Sequence, residues 1–138
     1  DIFAGGPFVP FYLSTQEYFE LISAKLKPQG LLLMNALRIG QNDIFADRLG
    51  QTILKEFPSL FKLNLNDNVL LIATKKETSL EGIKEILKNQ NNTKIKPIVE
   101  YTLQNLKNFP KDLESDIFTD DHAPTERLVY EMVKDSYN

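Results

Sequence analysis

The sequence predicts an α/β fold in which parallel strands alternate with helices and the sheet ends in an antiparallel hairpin. An unbroken apolar run at residues 31–37 is typical of a parallel strand that is buried on both faces. Apolar residues at helical spacing occur on each side of this run, at residues 14–27 and 42–57. Two further strand patterns, at residues 60–65 and 69–74, are joined by a short Asn-Asp-Asn turn. These two strands must be antiparallel, because a parallel crossover needs about a dozen residues or more.

Local signals indicate where these elements begin and how they pack. A capping box predicts the start of the first helix, with the Ser14 hydroxyl and the Glu17 carboxylate bonded to backbone N–H groups of the first turn. Asn42 and the aspartate after it predict the N-cap of the second helix, in which Gly50 permits a close approach to the sheet. Lys62 belongs to the polar side of an alternating strand, which predicts a position near the sheet edge.

The composition changes after residue 76. We therefore divide the chain into an α/β part, residues 1–76, and a mainly helical extension, residues 77–138. Ser79 caps the first helix pattern of the extension, and a second pattern follows Pro97. A last helix is predicted from about Pro124, since proline is favoured in the first turn of a helix.

Composition and charge exclude several classes of partner and site. The 138 residues carry a net charge of -3, so no basic patch is available for nucleic acid or for an anionic membrane surface. The chain has no cysteine, which excludes disulfides, thiolate metal ligands and cysteine nucleophiles. No apolar run is long enough to predict a membrane span, and no leader pattern is seen. We expect a cytoplasmic location, while an upstream membrane attachment of a longer parent stays open.

Asp1 is the strongest candidate for a chemical role. It precedes a turn that contains Gly5 and Gly6, and an apolar loop then leads into the first helix. Ligands of open α/β sheets bind just outside the carboxyl ends of the strands, so this arrangement is typical of a strand that delivers a carboxylate to a ligand crevice. We expect the strand itself to lie upstream of the printed sequence. The alternative is that Asp1 only caps the glycine turn.

Several motifs together resemble one known family. They are Asp1-Ile-Phe-Ala-Gly-Gly-Pro, Pro10-Phe-Tyr-Leu-Ser-Thr, Glu17-Tyr-Phe, Leu26-Lys-Pro-Gln-Gly, the strand that contains Asn35, and Thr119-Asp-Asp-His-Ala-Pro-Thr-Glu. The sequence resembles the spermidine synthase-like family, over most of residues 1–76 and again at residues 119–129. The resemblance implies the C-terminal half of the Rossmann-like fold that methyltransferases dependent on S-adenosylmethionine also use.

The resemblance also implies a reaction. In the family, the aspartate at the matching position acts on the attacking amine of an aminopropyl transfer, so Asp1 is implied as the catalytic residue; a carboxylate can orient a protonated amine and accept its proton. The implied co-substrate is decarboxylated S-adenosylmethionine or S-adenosylmethionine, the implied acceptor is an amine or another small molecule, and no metal is implied. Asn35 is the candidate for contact with the co-substrate. The candidates for substrate binding are Gly5, Gly6, Tyr12, Asp120 and Asp121.

Each of these candidates has a simpler structural interpretation. Gly5 and Gly6 would shape the loop, Tyr12 would pack on the core, and Asn35 would be a hydrogen-bonded strand end. His122 and the two preceding aspartates invite a metal site, but three adjacent residues do not readily converge on one ion. A helix-capping and loop-fixing role for these three residues is therefore the preferred alternative to a metal site.

Two departures from the family keep other functions open. Ala4 stands where true aminopropyltransferases carry a second aspartate, and residues 62–67 replace a Pro-Thr-Tyr-Pro-like segment. The glycine-rich loop and the acidic residues that the family places on its first three strands do not occur in the 138 residues, so we expect this segment alone to be inactive. The alternatives are a non-catalytic scaffold of the same fold and a methyltransferase that uses S-adenosylmethionine itself.

The strand at residues 31–37 leads to an expectation about assembly. If its neighbour is the strand that ends at Asp1, the isolated 138 residues present an unpaired strand edge beside apolar side chains. Such an edge can pair with another chain. We therefore expect these residues either to form a homo-oligomer through this edge or to require the missing half beside them.

Overall fold

The computed structural model of the chain describes residues 10–136, so Asp1, Gly5 and Gly6 lie outside the described residues. The helices are α1 (Gln16–Lys25), α2 (Ile44–Ile53), α3 (Leu80–Lys88), α4 (Lys96–Asn105) and α5 (Thr125–Asp135). The strands are β1 (Leu31–Leu37), β2 (Ser59–Asn64), β3 (Asn68–Thr74) and β4 (Lys107–Asn108). None of the helices in this part of the chain has the length and apolar character that a membrane crossing requires.

The described residues form a mixed helix-and-strand unit. Its four strands make one sheet in the order β1-β3-β2-β4. The predicted hairpin of β2 and β3 is confirmed, with Ser59 opposite Thr74 and Asn64 opposite Val69. All three pairings among the described strands are antiparallel, so the predicted parallel arrangement is not confirmed in residues 10–136. The strand at residues 60–65 lies near the sheet edge, as predicted, because only the two-residue β4 pairs with the outer side of β2.

β1 is half-exposed, so the prediction that it is buried on both faces is wrong. Ala36 is buried, whereas Leu31 and Leu33 are 52% and 57% exposed. The reason is the distribution of the helices: α1, α2 and α5 contribute to the core on one face of the sheet, whereas α3 and α4 pack over β2 and β3 on the other. β1 is therefore apolar along its length, although other described residues cover only one of its two faces.

The main core lies between the sheet and α1, α2 and α5. Its buried members include Phe19 of α1, Leu49 of α2, Leu71 of β3 and Met132 of α5. Phe118, from the segment before α5, is also fully buried in it. Residues from both predicted parts of the chain thus share one core, and the division at residue 76 stays a prediction.

The outer edge of β1 has no strand partner within residues 10–136, and two exposed leucines lie beside it. The expectation of self-association through this edge therefore stays a prediction. We expect the sedimentation coefficient of the isolated 138 residues to rise with concentration. A monomer at high concentration, with slow amide exchange throughout β1, would contradict this expectation.

Gly50 lies where α2 meets the segment after β4. A Cβ atom at this position would overlap the ring of Phe109, which is buried and follows β4. The sequence predicted a close approach of Gly50 to the sheet, whereas the closest contact is with Phe109, in the segment after β4. We expect Gly50→Ala to lower the free energy of unfolding by about 1–3 kcal/mol in urea denaturation, since the ring must move to admit the methyl group.

Gly82 provides the matched control, because it also lies inside a helix but has only Ser79 Oγ, at 3.3 Å, and a Thr78 methyl group, at 3.8 Å, near its Cβ position. We expect Gly82→Ala to be neutral or to stabilise by up to about 1 kcal/mol through helix propensity. Equal losses for the two variants would show that the overlap with Phe109 does not limit position 50.

Candidate functional site

Phe118 fixes the segment that carries the Thr-Asp-Asp-His-Ala-Pro motif. Its backbone N–H donates to Thr52 Oγ1 of α2 at 3.0 Å, and its carbonyl accepts from the N–H of Gln16 at the start of α1, at 2.8 Å. The Phe118 ring packs against Phe45, with 6.0 Å between ring centroids, and the Arg48 guanidinium lies 4.7 Å from its centroid. The motif is thus attached to both α1 and α2.

The motif itself forms a tight turn against the first turn of α1. Thr119 and His122 exchange two backbone hydrogen bonds of 3.2 and 2.9 Å. The Asp120 N–H donates to Glu17 Oε2 at 3.0 Å. The side chains of Asp120, Asp121 and His122 are exposed. The resulting surface presents two carboxylates and one imidazole beside the start of α1.

The start of α1 differs from the predicted capping box. Thr15 is the N-cap, and its Oγ1 accepts from the Tyr18 N–H at 3.3 Å. The Ser14 hydroxyl instead donates to the carbonyl of Phe11 at 2.6 Å. A short 3-10 turn precedes the helix and shifts the cap by one residue. Glu17 accepts a hydrogen bond from the distant Asp120 N–H, and sequence reasoning missed this contact.

Tyr12 and Asn35 lie in different environments. Tyr12 is in the turn just before α1 and is 56% exposed, with its ring in an edge-on contact with Phe11. Asn35 is exposed, and its Nδ2 donates to Asn68 Oδ1 at 3.4 Å on the sheet face opposite α1 and α2. The structure thus places Tyr12 and the turn at residues 119–122 at the same end of α1 but does not bring Asn35 to them.

Within residues 10–136, no group of three acidic or histidine side chains is arranged to hold a metal ion. The structural feature that His122 and its neighbouring aspartates share is the turn at residues 119–122.

A partly buried charge network, which sequence reasoning also missed, connects β2 to α2. Lys62 Nζ lies 2.8 Å from Asp43 Oδ2 and 2.9 Å from Asp47 Oδ1, while Asp43 Oδ1 lies 2.7 Å from Arg38 Nε. Burial alone would lower the pKa of Lys62, but the hydrogen bonds and charges of the two aspartates outweigh it and raise this pKa above its usual 10.5. The i, i+4 spacing of the two aspartates is the sequence signal that could have indicated a shared cation.

Comparison with known proteins identifies a similar fold. No protein-family model matches the chain, and no curated protein matches it. The crystal structure of a probable spermidine synthase from Corynebacterium glutamicum is similar, with a TM-score of 0.56 and 20% sequence identity. The match covers 79% of this chain and 40% of that one, so the 138 residues span well under half the length of the relative. The chain therefore has a distant spermidine synthase-like fold.

The Glu17 contact can be tested by removing its charge. We expect Glu17→Gln to weaken the bond to the Asp120 N–H and to lower the free energy of unfolding by about 0.5–1 kcal/mol, because the pair is exposed. Amide exchange at Asp120 and His122 should accelerate. Glu20→Gln, one turn further along α1, is the control and should change neither quantity. Unchanged exchange in the Glu17 variant would contradict the proposed anchoring of the turn.

The charge network predicts a dependence on alkaline pH. Lys62→Met should lower the free energy of unfolding by about 2 kcal/mol at neutral pH, because two partly buried carboxylates lose their shared cation. Since the pKa of Lys62 is raised on folding, its contribution is complete below pH 10.5 and is lost as the pH rises through the folded-state value. The difference between wild type and variant should therefore shrink above pH 10.5.

Lys55→Met removes an exposed lysine from the turn after α2 and serves as the control. Its unfolding free energy should follow wild type at every pH. A Lys62→Met difference that stays constant, or grows, above pH 10.5 would mean that the ammonium charge is not what stabilises the network.

Proposed function

We propose that these residues belong to a spermidine synthase-like transferase. The intact protein would transfer an aminopropyl or related group from an S-adenosylmethionine-type donor to an amine. The observation that carries the proposal is the anchored turn at residues 119–122, which presents Asp120 and Asp121 beside the start of α1. The likeness of the fold to a probable spermidine synthase supports it further.

The proposed chemistry centres on Asp1. A carboxylate there would orient the protonated amine and accept one of its protons, which frees the lone pair with which the nitrogen attacks the carbon next to the donor's sulfonium. The new carbon–nitrogen bond forms while the carbon–sulfur bond breaks, and the electron pair of that bond stays on sulfur as a neutral thioether. Gly5 and Gly6 would shape the loop that carries this carboxylate towards the substrate.

Two further groups would complete the acceptor site. Asp120 and Asp121 place two exposed negative charges beside the start of α1, where they would attract and align a cationic amine. Tyr12, more than half exposed at the same helix end, would cover the apolar part of the acceptor. Asn35 lies on the sheet face opposite α1 and α2, away from these residues. Its proposed contact with the co-substrate therefore depends on residues outside the part of the chain that the structure describes.

Calorimetry on the intact protein tests the donor. We expect saturable heat with decarboxylated S-adenosylmethionine, and product formation when an amine is added. Asp1→Asn should lower kcat/KM by about 100-fold or more, because the attacking nitrogen loses its proton acceptor. The absence of heat with this donor, with S-adenosylmethionine and with the thioether product would remove the enzyme proposal.

The acceptor site has a separate test. We expect Asp120→Asn and Asp121→Asn each to raise the KM for the amine several-fold, about the effect of one lost charge contact at an exposed site. Asp112→Asn removes an exposed aspartate elsewhere in the extension and is the matched control. If all three variants raise KM equally, general attraction of the cation explains the effect and the turn is not the acceptor site.

Ala4 favours a second candidate, a non-catalytic scaffold of the same fold, because it replaces an amine-binding aspartate of the family. A methyltransferase is the third. Assays of the intact protein with both donors distinguish them: the transferase consumes decarboxylated S-adenosylmethionine, the methyltransferase consumes S-adenosylmethionine, and the scaffold consumes neither.

A further inference from the structure

A cleft of about 630 Å³ opens at the end of the sheet where β2 turns into β3. The other walls come from the loop between β1 and α2, from the last turns of α4 and from β4. The cleft shares no residue with the turn at residues 119–122 or with Tyr12. It is therefore separate from the described residues of the site assigned to the proposed transfer reaction.

The charged side chains that line this cleft are all cationic, although two of the three are paired with aspartates just outside the lining. The described lining of the cleft contains three cationic side chains, those of Arg38, Lys62 and Lys107, and no aspartate or glutamate. The chain as a whole has a net charge of -3. A concave surface lined by one sign of charge concentrates ligands of the opposite sign.

The three cations are held in different ways. Lys62 is occupied by two aspartates at the back of the cleft. Arg38 is oriented by Asp43 through Nε, while its Nη2 donates to Gln41 Oε1 at 2.9 Å and its Nη1 makes only a long 3.4 Å contact with the Leu65 carbonyl. The guanidinium thus has a fixed position.

Lys107 supplies the free charge of the cleft. It is exposed on β4, and its ammonium group, unlike its backbone, makes no hydrogen bond or ion pair with any other residue in the range 10–136. A ligand at this position would therefore not have to displace an existing partner of the ammonium group.

Apart from Gly40, Leu65 and Pro110, the remaining lining is polar and neutral. Tyr101 forms one wall, and its hydroxyl donates to the Asn64 carbonyl at 2.9 Å, which fixes the ring. Side-chain amides complete the lining: Gln41, Asn64, Asn66, Asn105 and Asn108. Amides both donate and accept hydrogen bonds, so they suit the hydroxyl groups of a polar ligand.

We propose that this cleft binds a small polar molecule that carries a phosphate group. A phosphate offers three strong acceptor oxygens and nearly two negative charges, which matches a free ammonium, a fixed guanidinium and several amide donors. The amides and the tyrosine would contact the hydroxylated remainder of the ligand. The assignment does not depend on the transferase reaction.

Nuclear magnetic resonance titration of the whole 138-residue chain tests this assignment, with ribose 5-phosphate as the probe at constant ionic strength. We expect saturable amide shifts confined to residues 38–41, 64–66 and 105–108. Lys107→Gln should weaken binding about tenfold, in keeping with the loss of one charge-assisted contact. Ribose without the phosphate should cause no saturable shift.

Lys27→Gln is the matched control, since it removes the same charge from an exposed lysine at the opposite end of the strands. Its affinity for the probe should equal that of wild type, and the spectra of both variants report whether they remain folded. The assignment is overturned if the probe produces no saturable shift, if ribose binds as well as ribose 5-phosphate, or if the two variants weaken binding equally.

Discussion

The hydrogen bond from the Phe118 N–H to Thr52 Oγ1 holds the end of the chain to the helices that cover the sheet. Both residues are fully buried. The Thr52 hydroxyl also donates to the Arg48 carbonyl at 2.9 Å, so its donor and acceptor capacities are both used. An unsatisfied N–H at this depth would cost about 1–3 kcal/mol. The Thr52 oxygen is therefore a buried anchor for the segment before α5.

The candidate site depends on this attachment. The carbonyl of Phe118 bonds the N–H of Gln16, and the next two residues begin the turn whose Asp120 N–H is held by Glu17. Two parts of the chain, a hundred residues apart in sequence, thereby place exposed carboxylates beside the start of α1. Rigid helices position the surface, and an exposed turn supplies its charges, which is a common division of roles in ligand sites.

Local signals predicted the elements whose formation depends on neighbouring residues. The hairpin of β2 and β3 follows from a short turn between two strand patterns, and α2 begins where Asn42 Oδ1 accepts from the Ile44 N–H. Contacts between elements that are far apart in the sequence could not be predicted in this way. Alternation along β2 puts Lys62 and Asn64 on one face, but it does not say that Lys62 meets the aspartates of α2.

The same limit explains the other differences. A run of apolar residues in β1 indicates a strand in a core, yet Leu31 and Leu33 are exposed because the helices on that face of the sheet, α3 and α4, pack over β2 and β3 and not over β1. Gly50 signals a close approach, while its partner, Phe109, comes from a segment with no recognisable link to α2 in the sequence. Glu17 belongs to a plausible local cap and instead bonds a residue of the extension.

Hydrogen exchange in Thr52→Val tests the central claim most directly, because valine keeps the shape of threonine and removes the oxygen that Phe118 requires. Thr102→Val, which removes a hydroxyl bonded to the Ile98 carbonyl of the exposed helix α4, is the control. We predict that exchange at Phe118, Asp120 and His122 accelerates about tenfold or more in the Thr52 variant, as expected for the loss of one buried hydrogen bond, and is unchanged in the control. Exchange at these three amides that stays at the wild-type rate in a folded Thr52→Val protein would contradict the account.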